Sequence, residues 1–303
     1  MSEADKFQQL KNWGMLIVLA LIWGSSFILI KKALLVFSAG EVGALRIVTA
    51  GTVLLPLAMP VLKHLTGRQM GYLLVIGFVG SFIPSFLFAT AQTNLSSSLA
   101  GVINALTPLM VVLVGALFFH ATITWRISLG LIIAFLGVGI LVLAGSDSGF
   151  SFFSDFNFYG LFVVCATVCY GLNVNIIKYR VPEIKPKTIT AISLMMVLPL
   201  AAIYLLAYTR FSFKLLHVDG AWTAAGYVTV LGIIGTAAAL VLFNTMVKMV
   251  TPVFASSVTY LVPLVAIFWG VWDGEKLFPL HYFGIFAVII GVWIGNRRSG
   301  HSK

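Results

Sequence analysis

The chain has 303 residues, 60% of them hydrophobic and only 9% charged, with a mean hydropathy of +1.05. A soluble globular protein is about 25% charged, so this composition excludes a soluble enzyme and argues against a nucleic-acid binder. Two cysteines exclude a disulfide scaffold and a zinc cluster.

Apolar runs, separated by polar or charged breaks, fall at 13–30, 42–62, 70–91, 97–119, 125–144, 158–178, 188–208, 222–247, 252–272 and 281–296. A membrane-crossing helix needs about 20 apolar residues. A lipid-spanning barrel would instead show alternating segments of about ten. The sequence therefore predicts an all-α polytopic membrane protein with ten transmembrane helices. The first run is too long for a cleavable signal peptide, so none is expected. Lysine and arginine set the orientation. With the N-terminus inside, thirteen of the 19 lie on the cytoplasmic side and five outside, with Arg46 inside a span. That bias follows the positive-inside rule. It predicts a multi-pass protein of the cell inner (plasma) membrane with both termini cytoplasmic, and it accounts for the net charge of +10 without an acidic partner.

The chain also repeats itself. GYLLVIGFVGS at 71–81 recurs as GYVTVLGIIGT at 226–236, an offset of 155. The same offset pairs Phe88 with Phe243, Pro108 with Pro263 and Gly115 with Gly270. At an offset of 154, Gly130 and Gly137 match Gly284 and Gly291, and WGSSFILIKK at 23–32 resembles YGLNVNIIKY at 170–179. Two copies of one five-span unit are expected, at 1–150 and 151–303. Because five is odd, the second copy crosses in the opposite sense, as in alternating-access transporters.

Three features together, WGSSF at 23–27, SSSLAGVINALTPL in the fourth run and LVPLVAIFWGVWDGEKLFPLHYFGIFAVIIGV near the end, resemble the EamA type of the drug/metabolite transporter superfamily. The resemblance covers both halves. It implies a ten-helix inner-membrane bundle whose central cavity, built largely from spans 1, 3, 4, 6, 8 and 9, moves small metabolites. The glutamate that the family places after each copy's fourth span is present as Glu275, but His120 stands at the first copy's position.

Several residues are candidates for the cavity wall. Pro108 and Pro263 interrupt spans 4 and 9 and free the carbonyls of Asn104 and Thr259. Paired interruptions at matching repeat positions point to a binding site, whereas a simple kink would leave them as packing features. Trp23 and Ser26 share one face of span 1, and Tyr170 and Asn173 one face of span 6. An aromatic beside a hydrogen-bonding group suits a cavity wall; an interfacial anchor for Trp23 and interhelical bonding for Ser26 and Asn173 are the other readings. In span 3, Ser81, Ser85, Phe88 and Gln92 share a face, opposite Thr236, Leu240, Phe243 and Val247 of span 8, with Asn244 one step away. Tyr260 completes the set beside Thr259.

Arg46 reads as one turn inside span 2, near the outer boundary and within reach of Glu41; structural pairing or steering of a substrate carboxylate are its two readings. Cys165 and Cys169 read as core packing, and glycines such as Gly77, Gly80, Gly137 and Gly139 as sites of close helix approach.

These residues predict a carrier of small neutral or zwitterionic metabolites (amino-acid-like) or drugs, probing both sides of the bilayer in turn and exporting its solute. The expected partners are the small-molecule substrate and the lipid bilayer, with no nucleic acid; a monomer or weak homodimer is expected, without cofactor or metal. A cavity for phosphate esters would call for several cations. A small-multidrug type of antiporter would need a carboxylate in span 1, which has none. The competing readings are a membrane-embedded enzyme on a lipid-soluble substrate and a proton-coupled drug antiporter. The enzyme would require convergent acids and bases, yet His64, His120, His217, His281 and His301 all read as loop or terminal residues.

The orientation is testable with topology reporters. One fused after Gly145 or near Asp273 is expected outside and one near Lys185 inside. An inside signal at Gly145 would contradict the inverted-repeat expectation.

Overall fold

A computed structural model describes residues 3–120, 125–143, 158–250, 255 and 257–296. The expectations that fall on Gly145, His301 and the boundary between 150 and 151 lie outside these residues, as does the start of the ninth apolar run.

The first half contains α1 (Glu3–Leu34), α2 (Ala39–Ala58), α3 (Gly67–Gly77), α4 (Ile83–Ala91), α5 (Ser97–Asn104), α6 (Thr107–Phe119) and α7 (Trp125–Leu143). The second contains α8 (Tyr159–Tyr179), α9 (Pro186–Ala207), α10 (Phe211–His217), α11 (Ala221–Gly232), α12 (Ala239–Met249), α13 (Val262–Trp272) and α14 (Pro279–Asn296). No strand occurs among the described residues. The pairs α3–α4 and α11–α12 are each one continuous rod, joined by π-helical turns at Phe78–Phe82 and Ile233–Ala238. Counted as rods, seven helices among the described residues are long and apolar enough to cross a membrane by length and composition, and Trp125–Leu141, Val258–Trp272 and Pro279–Gly291 are shorter apolar helices.

Local chemistry sets where these helices start. Ser38 and Glu41 form a reciprocal capping box at the head of α2, and Thr66 and Gln69 do the same for α3. Ser96 caps α5 through the Leu99 amide. Proline opens α6, α9 and α13, where its missing N–H costs nothing.

Packing comes in pairs related by exchanging the halves. α4 packs on α8 while its counterpart α12 packs on α1; α6 packs on α8 while α13 packs on α1; α3 packs on α9 while α11 packs on α2. The α2–α9 and α7–α14 pairs close the set. The distribution of polarity is inverted relative to a soluble protein. Leu117, Phe118, Leu136, Trp272, Phe283 and Phe286 are exposed, while Ser26, Arg46, Ser81, Asn104, Asn173, Asn175 and Thr236 are buried. Polar side chains tie the interior together: Asn175 donates to the carbonyls of Val111 (2.9 Å) and Gly171 (2.8 Å), fastening α8 to α6.

Between apolar helices in lipid, close approach supplies the attraction that water would supply elsewhere. The α7–α14 contact depends on interlocked glycines. A Cβ on Gly137 would fall 2.7 Å from the Val288 nitrogen and 2.9 Å from the Gly284 oxygen, and one on Gly291 would fall 2.6 Å from the Gly130 oxygen. These are the four glycines that the 154-residue offset matched. Gly139, expected to act likewise, has nothing within 4 Å. Two other expectations are corrected. Cys165 is exposed on the outside of α8 rather than packed in the core, because its four-residue spacing from half-buried Cys169 places both on an outward stripe. His281 lies inside the first turn of α14, buried, and accepts the Phe278 N–H at Nδ1 (3.0 Å), so it caps a helix rather than sitting in a loop.

Gly137→Val is expected to destabilise the protein by about 1–3 kcal/mol through overpacking, seen as a lowered midpoint in detergent thermal unfolding. Gly139→Val, which meets open space, serves as the control and should leave the midpoint nearly unchanged.

Candidate functional site

The centre of the bundle is where four helical rods are interrupted, and each interruption presents backbone groups that need partners. The two π-helical turns occupy matching places in the halves. A π turn leaves the regular hydrogen-bond ladder locally. In the second half the Gly235 carbonyl accepts from Trp23 Nε1 (3.0 Å), and the Thr236 hydroxyl donates to the Leu231 carbonyl (3.2 Å) while accepting from Arg46 Nε (2.6 Å). In the first half Gly80 lies against Asn173: a Cβ there would fall 2.7 Å from Asn173 Oδ1. Trp23 and Ser26 thus pack on the second-half turn, while Asn173, the repeat partner of Ser26, packs on the first-half one and Tyr170, the repeat partner of Trp23, stacks on Phe88.

The other two interruptions are the proline breaks. α5 ends at Asn104 and α6 resumes at Thr107. The Asn104 carbonyl freed by Pro108 accepts from the Thr107 hydroxyl (2.7 Å), so it is satisfied locally. In the second half a 3-10 turn, Ser257–Tyr260, precedes α13.

A cavity of about 70 Å³ lies among these interruptions. α1 contributes Trp23, Ser26, Phe27 and Ile30, and α2 contributes Arg46. The α3–α4 rod adds Gly80, Ser81 and Phe88; α5 and α6 add Asn104 and Thr107; α8 adds Tyr170, Asn173 and Val174. Gly235, Thr236, Leu240 and Phe243 of the α11–α12 rod and Thr259 close it. Aromatic rings form three contacts around it: Phe27–Phe88 and Phe88–Tyr170, with centroids 5.6 and 6.0 Å apart, and Trp23–Phe243 at 5.1 Å. Asn173 is 3% exposed, and its Oδ1 has no hydrogen-bond partner.

Of the residues expected from sequence, Trp23, Ser26, Phe88, Asn104, Tyr170, Asn173 and Thr259 line this cavity. Gln92, Pro108, Asn244, Tyr260 and Pro263 do not. Gln92 ends α4 as its C-cap, buried with neither amide atom partnered. Asn244 Nδ2 donates to Thr190 Oγ1 (2.9 Å) and so joins α12 to α9. The Tyr260 hydroxyl is buried without a partner away from the wall, and the two prolines shape the breaks without reaching the space. Thr107 was missed, although a hydroxyl directly before Pro108 and three residues after the freed carbonyl was a readable signal. Arg46 is corrected. It does not pair with Glu41, whose carboxylate holds Lys214 Nζ at 2.7 Å, and it reaches the cavity instead. Gly232 allows this: a Cβ there would overlap Thr49 Oγ1 and fall 2.8 Å from the Arg46 carbonyl, so α2 meets α11 closely.

One end of the bundle carries an ion cluster. Lys31 Nζ lies 2.9 Å from both Asp273 and Glu275, and Lys32 pairs with Asp273. Glu275 also accepts from the amides of Ser97 (2.9 Å) and Ser98 (3.1 Å) and from the Ser98 hydroxyl (2.7 Å), which binds the turn after α13 to the head of α5 and the end of α1. Burial pushes the Glu275 carboxyl up, but the Ser98, Lys31 and Ser97 hydrogen bonds outweigh it and hold the pKa below the ordinary carboxylate value. His120, at the corresponding place in the first half, adopts a left-handed φ of 56° and closes α6. No group of three metal-ligating side chains is clustered among the described residues.

A polytopic bundle with an internal cavity lined from both repeats is the architecture of a membrane transporter. The chain belongs to the EamA-like transporter family, which it matches over residues 12–143 and again over 157–297. It is 26% identical over 183 residues to an uncharacterized transporter of Archaeoglobus fulgidus, a match covering 60% of this chain and 63% of that one. A protein of known crystal structure shares the fold, with a TM-score of 0.63 at 16% identity over 94% of this chain and 96% of the other.

The Glu275 contacts predict a pH dependence. A folded-state pKa below the unfolded one contributes stability that is fully present above about pH 4.3 and lost as pH falls through the folded value. Glu275→Gln is expected to lower the thermal midpoint at pH 7 and to flatten its acid dependence below pH 5. A variant with an unchanged midpoint and unchanged acid slope would remove the cluster from the protein's stability.

Proposed function

We propose that this transporter carries small uncharged or zwitterionic organic solutes through the central cavity by alternating access, exporting them from the cytoplasm. In this reading the ten apolar helices all span the inner membrane, both termini are cytoplasmic, and the halves are inverted repeats. The observation that carries it is the cavity itself: four interrupted rods, two from each half, meet around one space with aromatic walls and a few polar groups. Such a wall grips the apolar part of a solute and orients it by hydrogen bonds. Exchange of the helix partners between halves supports rocking of one half against the other. Trp23 and Tyr170 supply matched aromatic surfaces, while Asn173 Oδ1 offers an acceptor with no competing partner.

No carboxylate among the described residues lines the cavity. A proton-coupled carrier needs a titratable group that changes access with the substrate site, so a facilitator or exchanger fits this wall better than a proton-driven antiporter. An embedded enzyme would need convergent acid, base or nucleophile, which this wall does not supply.

The test is counter-exchange of metabolites by purified protein in liposomes. Saturable exchange is expected, reduced at least about tenfold in Asn173→Ala when a buried polar contact to the solute is lost. An imposed pH step with equal solute on both sides should produce no accumulation. Uphill accumulation that collapses with a protonophore, for a solute that does not itself titrate, would overturn the uncoupled reading.

A further inference from the structure

Arg46 has no use in the fold that matches its cost. It is 9% exposed, about two turns into α2. A buried guanidinium is expensive unless paired with an anion. The carboxylates that could have paired with it are engaged elsewhere: Glu41 by Lys214, and Asp273 and Glu275 by Lys31 and Lys32. The hydrogen bond that the structure gives Arg46 runs from Nε to Thr236 Oγ1, and that hydroxyl already donates to the Leu231 carbonyl. A guanidinium has five N–H donors, so the four on its two Nη atoms remain for a ligand in the cavity that Arg46 lines.

We infer that the transported solute bears a carboxylate and that Arg46 is the residue that recognises it. This rests on the transport reading and narrows it to one chemical class. The Nη pair of an arginine matches a carboxylate with two parallel hydrogen bonds, a geometry that fixes orientation as well as charge. Fastening Nε to Thr236 holds the fork in one direction before the solute arrives, which lowers the ordering cost of binding. One cation in the wall and no carboxylate among its lining residues give the cavity a single positive charge, which suits the lone carboxylate of a zwitterion and repels organic cations. Asn173 Oδ1, buried and unpartnered, accepts from the ammonium of a zwitterion, and the faces of Trp23 and Tyr170 take an aliphatic or aromatic remainder. The solute class is therefore zwitterions that bear one carboxylate, with α-amino acids satisfying most of the wall.

The experiment measures counter-exchange in liposomes of radiolabelled L-alanine, L-leucine and L-phenylalanine, each against its C-terminal amide, for the wild-type protein and for Arg46→Lys and Arg46→Gln. The inference expects at least one acid to exchange about tenfold or more faster than its amide in the wild type, the size of a charge-assisted hydrogen-bond pair. Arg46→Gln should lose that preference while retaining a monodisperse elution profile, and Arg46→Lys should keep part of it. Equal exchange of acids and amides by the wild type would overturn the inference, as would a folded Arg46→Gln protein with undiminished preference. Should Arg46→Gln fail to fold, the wild-type comparison decides alone. Exchange of uncharged solutes but none of these acids would overturn the carboxylate assignment and leave the carrier standing. No saturable exchange of any solute would take down the carrier reading itself.

Discussion

Hydrocarbon offers a polypeptide no hydrogen-bond partners, and the interior of this bundle is organised by that scarcity. A straight apolar helix satisfies its own backbone and asks nothing of its neighbours. This chain breaks the rule at two π turns and two proline breaks, and every resolved solution is a contact between elements or within a cap. The Gly235 carbonyl draws Trp23 across from α1, the Thr236 hydroxyl draws Arg46 across from α2, and Thr107 turns back on Asn104. The cavity is the space left where those debts of the backbone are settled, which is why polar side chains gather there.

The small residues matter for the same reason. Gly80 and Gly235 sit inside the π turns with Asn173 and Ser26 over them: a methyl group at Gly80 would fall 2.7 Å from Asn173 Oδ1, and one at Gly235 would press on Ser26 Oγ at 3.1 Å. Gly232 brings α2 within reach of the second turn. Close approach at these points converts two similar halves into one interior, each half completing the wall of the other.

Much of this was legible in the sequence because length and repetition are robust signals. Where the described residues cover them, the apolar runs became helices within a few residues of their expected bounds, and the 155-residue offset that matched Gly80 with Gly235 also marked the π turns, although nothing in the letters distinguishes a π turn from an α-helix. Helical periodicity placed Ser81 and Phe88 on the correct face. It could not give depth, so Gln92 on the same stripe fell at the helix end and Asn244 one step aside bonded to Thr190. Arg46 was misjudged for a related reason. Hydropathy began its run at 42, whereas Ser38 and Glu41 carry the helix back to Ala39 and bury that whole turn, leaving Glu41 2% exposed and held by Lys214.

The glutamate clasp has an energetic consequence of its own. Two identical inverted halves would give a carrier two end-closed arrangements of equal free energy, each the mirror of the other. Here Glu275 ties one end through Lys31, Ser97 and Ser98, and His120 merely turns the chain at the corresponding place in the first half. Under the alternating access proposed above, this difference would make the two wells unequal in depth, with the higher barrier out of the clasped one. An empty carrier would rest with that end shut, and the free energy of solute binding would be what lifts it out. In such a tilted profile the loaded protein turns over faster than the empty one, so that one solute leaving is tied to another entering by kinetics alone, without any coupling ion.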